Sequence, residues 1–272
     1  MADQPIIVHS SVVDLNALDG VSTIQFNVGT SGGGSLATRM FNQDLLSPSI
    51  ARSDASGVVT FLISVTTEAQ ALVLGAHRND AVGFKSDAGS FTLGFFDGVA
   101  FTTIASGAMT AENTSTVYKL PAHTVVPVGA SNIRNYEMTY TGQPALTDMV
   151  IPELFLGAML EMPNVDYGYD PYNEVYRGAK FTAMSGRLYK TLHYRRLELN
   201  PRWSVLERSA YDTAIDNFRE DVLETMESFW WAWMPDTAPN ECYFMMQDAD
   251  TTAFPIKSAV HRSMALKLVE DV

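Results

Sequence analysis

One stretch of this chain carries a convincing helical period, and nearly everything around it alternates with a period of two. Tyr211, Ala214, Ile215, Phe218 and Val222 fall on one helical face, with Asp216, Asn217, Arg219, Glu220 and Glu224 on the other. Ser209 stands where an N-cap belongs and Asp212 follows three residues later in the manner of a capping box, so a helix is expected over 209–227. Before it, short apolar runs are separated by Gly, Asn, Asp and Ser. Ser22–Val28, Gly57–Val65, Ala71–Ala76, Ser90–Phe96 and Asn135–Tyr140 each read as a strand. A chain with many short strands and one amphipathic helix must fold as a mainly β protein.

Two domains are expected. Residues 1–163 are rich in Ser, Thr, Gly and Val and read as an N-terminal jelly-roll β-sandwich. Residues 164–272 hold twelve of the eighteen Lys and Arg and form an α+β half, a second β-sandwich carrying the helix. The Tyr167–Tyr172 segment, with Pro171, is the expected extended connector. A long strand over Gly186–Leu199 follows, with a bulge expected where Arg195 and Arg196 break the alternation. Asn200–Trp203 is read as a turn, and Glu241–Gln247 and His261–Val269 as closing strands in which Met264, Leu266 and Leu268 share a face.

Composition excludes several function classes. A net charge of −13 works against nucleic acid, whose phosphates it repels, and against anionic membrane surfaces. No apolar run is long enough for a membrane-spanning helix, and the N-terminus lacks the pattern of a secretory signal. Cys242, the single cysteine, is expected to be a buried, inert thiol, compatible with a reducing compartment.

The usual catalytic and metal patterns fail one by one. His9, His77, His123, His193 and His261 are scattered without metal-ligand spacing. Asp248-Ala249-Asp250 begins like a calcium loop, but Ala253 replaces the needed Gly and Ala259 the needed Glu. Thr30–Ser35 lacks the Gly-Lys-Ser/Thr ending of a phosphate loop. No Ser sits in a nucleophile elbow, and sequence spacing alone shows no facing carboxylate pair. No catalytic residue, metal or cofactor is therefore expected, and the chain is not read as an enzyme.

The aromatic stretch Phe229-Trp230-Trp231-Ala232-Trp233 holds three of the four Trp. Such density marks a domain core or a protein–protein contact. In an extended segment Trp231 must oppose Trp230 and Ala232. One of the two Trp rings is then expected to lie against another domain or subunit. Trp230, Trp231 and Trp233, with Arg195 and Arg196, are the candidate assembly interface. Phe41, Phe84 and Phe101, placed in loops, are the candidate glycan contacts.

Two regions carry resemblances to tailed-bacteriophage proteins. Val58–Val65 followed by Ala71-Leu72-Val73-Leu74-Gly75-Ala76-His77-Arg78-Asn79 resembles a strand–turn–strand unit of galactose-binding-like (discoidin-like) jelly rolls. Ile133–Tyr140 resembles the closing strand of that family, and Ile151–Gly157 a segment that follows it in phage versions. The Trp often found beside the closing-strand aromatic is absent, which counts against sugar binding. The second half is similar in element order to the ring-forming domain of siphophage distal tail and minor tail proteins: a long strand with basic residues, an amphipathic helix, a bulky apolar segment, then Cys242-Tyr243-Phe244 leading into closing strands. The resemblance implies a structural virion component of the bacteriophage tail, made in the host cytoplasm. It would form a homo-oligomeric ring, a hexamer in the family, joining the tail tube to the baseplate or tip. Its partners would be the tail tube protein and the tip or hub proteins, with the jelly roll facing outward. The alternative is a carbohydrate-binding module for host-surface glycans on a virion scaffold, and a glycan hydrolase is a more distant one.

Overall fold

The period-two runs become strands in the computed structural model, which describes residues 3–13, 49–52, 55–65, 67–75, 89–108, 115–127, 134–142, 145, 148–151, 153–182, 188–248 and 255–271. The protein is mainly β, with antiparallel sheets and, among the described residues, one short α-helix extended by a π-helical turn. The strand expected at Ser22–Val28, the loop Thr30–Ser35, Phe41, Phe84 and most of the calcium-like segment lie outside the described residues.

The chain forms two compact units. One, the sandwich unit, holds Ser10–Met159 and Pro235–Cys242, and the other, the helix unit, holds Met1–His9, Leu160–Met234 and Tyr243–Val272. The crossing at Met159/Leu160 lies close to the boundary expected at 163/164. The two short exchanges, 1–9 and 235–242, were not expected. The first has a clear cause. Strand β1 (Ile6–Ser11) runs antiparallel to the Phe229–Ala232 strand, with Ile6 opposite Ala232, Ile7 opposite Trp231 and Val8 opposite Trp230. The N-terminus is thereby built into the sheet of the helix unit.

The sandwich unit contains β2 (Ser49–Arg52), β3 (Val59–Val65), β4 (Ala71–Gly75), β5 (Ser90–Phe96), β6 (Phe101–Ala108), β7 (Thr116–Lys119), β8 (Arg134–Thr141) and β9 (Asp148–Ile151), together with most of β10 (Glu153–Glu161). A four-stranded sheet runs β3-β8-β5-β6, a second set runs β10-β4-β7, and β2 pairs with β9. Alternate residues of both sets meet in one core: Val59, Phe61 and Ile63, then Phe91 and Leu93, then Tyr136, Met138 and Tyr140, against Leu72, Leu74, Leu154 and Leu156. This follows from the pleat, which sends every second side chain to the same face. Each such ring or branched chain contributes about 1.5–3 kcal/mol when fully buried.

Two tyrosines of that core differ in how their hydroxyls are satisfied. The Tyr136 hydroxyl accepts from Ala69 N–H at 3.0 Å and lies 2.6 Å from His123 Nε2. His123 Nδ1 lies 2.7 Å from the Pro121 carbonyl, which can only accept, so Nδ1 carries the proton and Nε2 accepts from Tyr136 in the neutral ring. Burial pushes the Tyr136 phenol up to about 12, so it stays a donor. The Tyr140 hydroxyl is buried with no partner among the described residues.

The helix unit adds β11 (Glu174–Thr182), β12 (Leu188–Leu199), β13 (Arg202–Glu207), helix α1 (Arg208–Phe218), β14 (Phe229–Ala232), β15 (Cys242–Gln247), β16 (His261–Ala265) and β17 (Leu268–Glu270). Its main sheet runs β11-β12-β17-β15-β14-β1, and β13 pairs with β16. Ile215, Phe218 and Val222 are buried as their spacing predicts, packed with Ile7, Trp203, Leu206, Phe229, Trp231, Met264, Leu266 and Leu268. Phe218 meets Phe229 edge-on at 5.1 Å.

Several details differ from the expectation. The N-cap is Glu207, without a side-chain cap bond, and Ser209 lies inside the helix, its hydroxyl donating to Glu207 Oε1 at 2.8 Å. Asp212 instead pairs with Arg208 and with the buried Arg262, each at 2.9 Å, tying α1 to β16. The α-helix stops at Phe218 and continues as a π-helical turn over Arg219–Leu223, which keeps Val222 on the buried face. The bulge in β12 lies at His193, since Arg177 pairs with Tyr194 and Gly178 with Leu192, and not at Arg195-Arg196. Arg202–Glu207, expected in part as a turn, is a strand because β16 supplies its partner. The stretch His261–Val269 is broken at Leu266 and Lys267.

The two tyrosines make a direct test. Tyr136→Phe is expected to destabilise by about 1–3 kcal/mol, because it strands the Ala69 N–H and the His123 ring. Tyr140→Phe is expected to be near neutral. Urea unfolding of both variants measures the difference, and a larger loss at Tyr140 would contradict the network.

Candidate functional site

The Trp strand is where sequence reasoning placed its strongest assembly residues. Trp230 and Trp231 do face opposite sides, as an extended segment requires. Yet both are 0% exposed within the single chain. Trp231 packs edge-on to Trp203 and its Nε1 donates to the Tyr169 hydroxyl at 3.1 Å. Trp230 stacks at 4.9 Å on Phe244, with its Nε1 unpartnered among the described residues. Trp233 is half-buried, its ring centroid 4.7 Å from that of Tyr169. A side chain with no exposed area offers nothing to a second chain. Of the expectation that Trp231 or Trp230 lies against another domain or subunit, the subunit half is corrected: both rings are buried within the single chain.

Tyr169 was missed. It lies in the segment read as a plain connector, yet its ring fills the gap between Trp231 and Trp233 and burial raises its phenol. The only sequence signal was the density of aromatics in Tyr167–Tyr172. Trp203 is fixed similarly, with Nε1 donating to the Pro163 carbonyl at 2.7 Å. Cys242 is buried and its thiol is pushed well above the ordinary range by desolvation, so it is inert as expected.

Arg195 and Arg196 belong to a different surface. They lie on β12, which with β11 makes a long antiparallel hairpin. Register pairs run from Glu174 opposite Leu197 to Thr182 opposite Leu188. Among the described residues, only the end of β12 reaches the rest of the sheet, through Glu198 opposite Val269 and Leu199 opposite Leu268. β11 is an edge strand, and Leu188–Leu197 of β12 has no second strand neighbour among the described residues. Tyr176 stands opposite Arg195 and is 59% exposed, its hydroxyl donating to the Glu174 carboxylate, which raises the phenol. Arg195 is exposed and lies 3.9 Å from Glu174, and Arg196 pairs with Glu198 at 3.1 Å. The Arg195–Glu174 pair, long and solvent-exposed, holds little energy, whereas Arg196 is half-buried and held by Glu198 through both Nε and Nη2.

A second exposed surface lies at the end of α1. Glu220, Asp221, Glu224 and Glu227 are all exposed. Met226 among them is 64% exposed and has a positive φ of 58°. Glu220 and Glu224 meet Arg219 at 3.6 and 3.2 Å.

Of the glycan candidates only Phe101 is described. It begins β6, is half-buried, and packs on Phe96 at 5.6 Å. The two rings flank a tight turn in which Asp97 accepts from Val99 N–H, Ala100 N–H and the Thr102 hydroxyl, each at 2.9 Å, and these bonds lower its pKa. Among the described residues no group of three His, Cys, Asp or Glu is placed to hold a metal ion, and no helix is long and apolar enough to cross a membrane. No family model, curated protein or solved structure matches the chain.

Because both Trp rings are core, Trp230→Ser and Trp231→Ser are each expected to cost about 3–5 kcal/mol of folding stability. Thermal unfolding followed by tryptophan fluorescence measures this. Variants that melt like the wild type and differ only in assembly would restore the interface reading.

Proposed function

We propose that the chain is a structural subunit of a bacteriophage tail tip, which assembles with copies of itself into a ring joining the tail tube to the baseplate or tip. The observation that supports this best is the β11–β12 hairpin, a long strand pair that among the described residues is joined to its sheet at one end only. An isolated two-stranded hairpin is marginal in water, and open edges invite another chain. The resemblance of the second half to siphophage ring-forming domains points the same way. Under this reading the sandwich unit is an accessory on the ring and the chain performs no catalysis.

A second reading, contact with host-surface glycans, is favoured by the half-buried Phe96–Phe101 pair at a hairpin tip. Apolar rings at such a place suit the apolar face of a sugar. A glycan array probed with the whole chain and with Phe101→Ala separates the two readings. A signal lost in the variant supports it, and a blank array rejects it.

The ring is tested by sedimentation velocity over rising concentration, combined with negative-stain images. Closed rings of one defined size are expected. A chain that remains monomeric up to its solubility limit, or forms only irregular aggregates, would overturn the proposal.

A further inference from the structure

The charge of this protein is unevenly divided. Strands β11 and β12 carry Arg177, Lys180, Lys190, Arg195 and Arg196 against Glu174 and Glu198, a net +3. The whole chain is −13, so everything outside the two strands sums to −16. The edge strand pair is thus the basic element of an acidic protein. The segment 216–227 is its opposite, with Asp216, Glu220, Asp221, Glu224 and Glu227 against Arg219 alone.

We propose that the β11–β12 hairpin of one copy docks on the acidic segment 216–227 of a second copy, head to tail. This rests on the self-assembly reading above and names its contact. Three observations combine. First, among the described residues the hairpin offers an open backbone edge, with register pairs spanning about 30 Å at ~3.3 Å per residue. Second, the two patches have opposite charge, and four acids of the second, Glu220, Asp221, Glu224 and Glu227, are exposed. Third, each patch carries an exposed apolar anchor beside its charges, Tyr176 next to Arg195 on the hairpin and Met226 between Glu224 and Glu227 on the acidic segment. Tyr and Arg at the centre of a patch are the usual carriers of interface energy, and Met adapts to an aromatic face.

The two patches are different surfaces of one chain, so the contact is heterologous. Repeated, it closes into a ring if the rotation allows and otherwise runs on as a filament. Complementary charge sets orientation and encounter rate, and it suppresses hairpin-to-hairpin pairing by like-charge repulsion. A nucleic acid is the competing occupant of a basic hairpin. The strongly acidic remainder of the chain disfavours it.

A charge-swap series tests the contact by sedimentation velocity on the full chain. The hairpin variant carries Lys180→Glu with Arg195→Glu, and the acidic-segment variant carries Glu220→Lys with Glu224→Lys. Each alone is expected to weaken self-association at least tenfold. Mixing the two, or placing all four changes in one chain, is expected to restore association, which also shows that the variants fold. Wild-type assembly in both separate variants would overturn the contact while leaving the ring standing. Absence of assembly in the wild type would instead overturn the ring itself. Two weakened variants that fail to rescue each other would overturn the pairing. So would tight binding of a fluorescent single-stranded oligonucleotide that is lost in the hairpin variant while assembly persists.

Discussion

The helix unit depends on one antiparallel pairing, that of β1 with β14. It sets Ile7 beside Trp231 on the face covered by α1, and it sets Val8 beside Trp230 on the other. Once Trp231 is fixed there, Trp203 and Tyr169 close on it, and Phe218 and Phe229 complete the seat of the helix. The buried Arg262–Asp212 ion pair holds the outer side of α1 to β16. Asp216 also meets the Arg262 guanidinium at 3.5 Å and Arg208 also meets Asp212 at 2.9 Å, so the contact is a small charge network and not a lone pair. The helix position is thus over-determined by aromatic packing below it and this charge network beside it.

Much of this was legible before any coordinates. The apolar face of α1, the strands Val59–Val65, Ala71–Gly75 and Ser90–Phe96, the opposition of Trp230 to Trp231 and the inert Cys242 all follow from local period and side-chain chemistry. What stayed hidden depended on distant partners. Nothing in Ile6–Ser11 says that it will pair with Phe229–Ala232. Without that pairing, one face of the Trp strand has no cover in the sequence pattern, which leads to the expectation of another domain or subunit there. Asp212 fits a capping box by spacing, but Arg262 arrives from far along the chain and takes its carboxylate. Arg202–Glu207 has weak strand character alone and becomes a strand because β16 lies beside it. Arg195 and Arg196 are legible as charges on β12, while Tyr176 and Met226 gave no sequence signal, since exposure of a lone apolar residue is a tertiary fact.

The candidate site therefore moves from bulky aromatics to an edge and its charges. The Trp cluster stabilises the fold that carries the hairpin, and in the proposed assembly the hairpin is what a neighbour meets. Electrostatics at such a contact acts within about 8 Å in physiological salt. It can orient two copies as they approach, but the lasting energy must come from apolar area and backbone pairing. This division of labour predicts a contact that weakens with salt without vanishing.

Cysteine cross-linking tests that contact most directly, because Cys242 is buried and leaves the background clean. Tyr176→Cys and Met226→Cys can be introduced together in one chain and treated with a short bis-maleimide under native conditions. A ladder of covalent oligomers is expected from the double variant, and single cross-linked dimers from an equal mixture of the two single variants. Assembled wild-type-like particles in which the double variant yields only uncross-linked monomer would contradict the hairpin-to-helix contact.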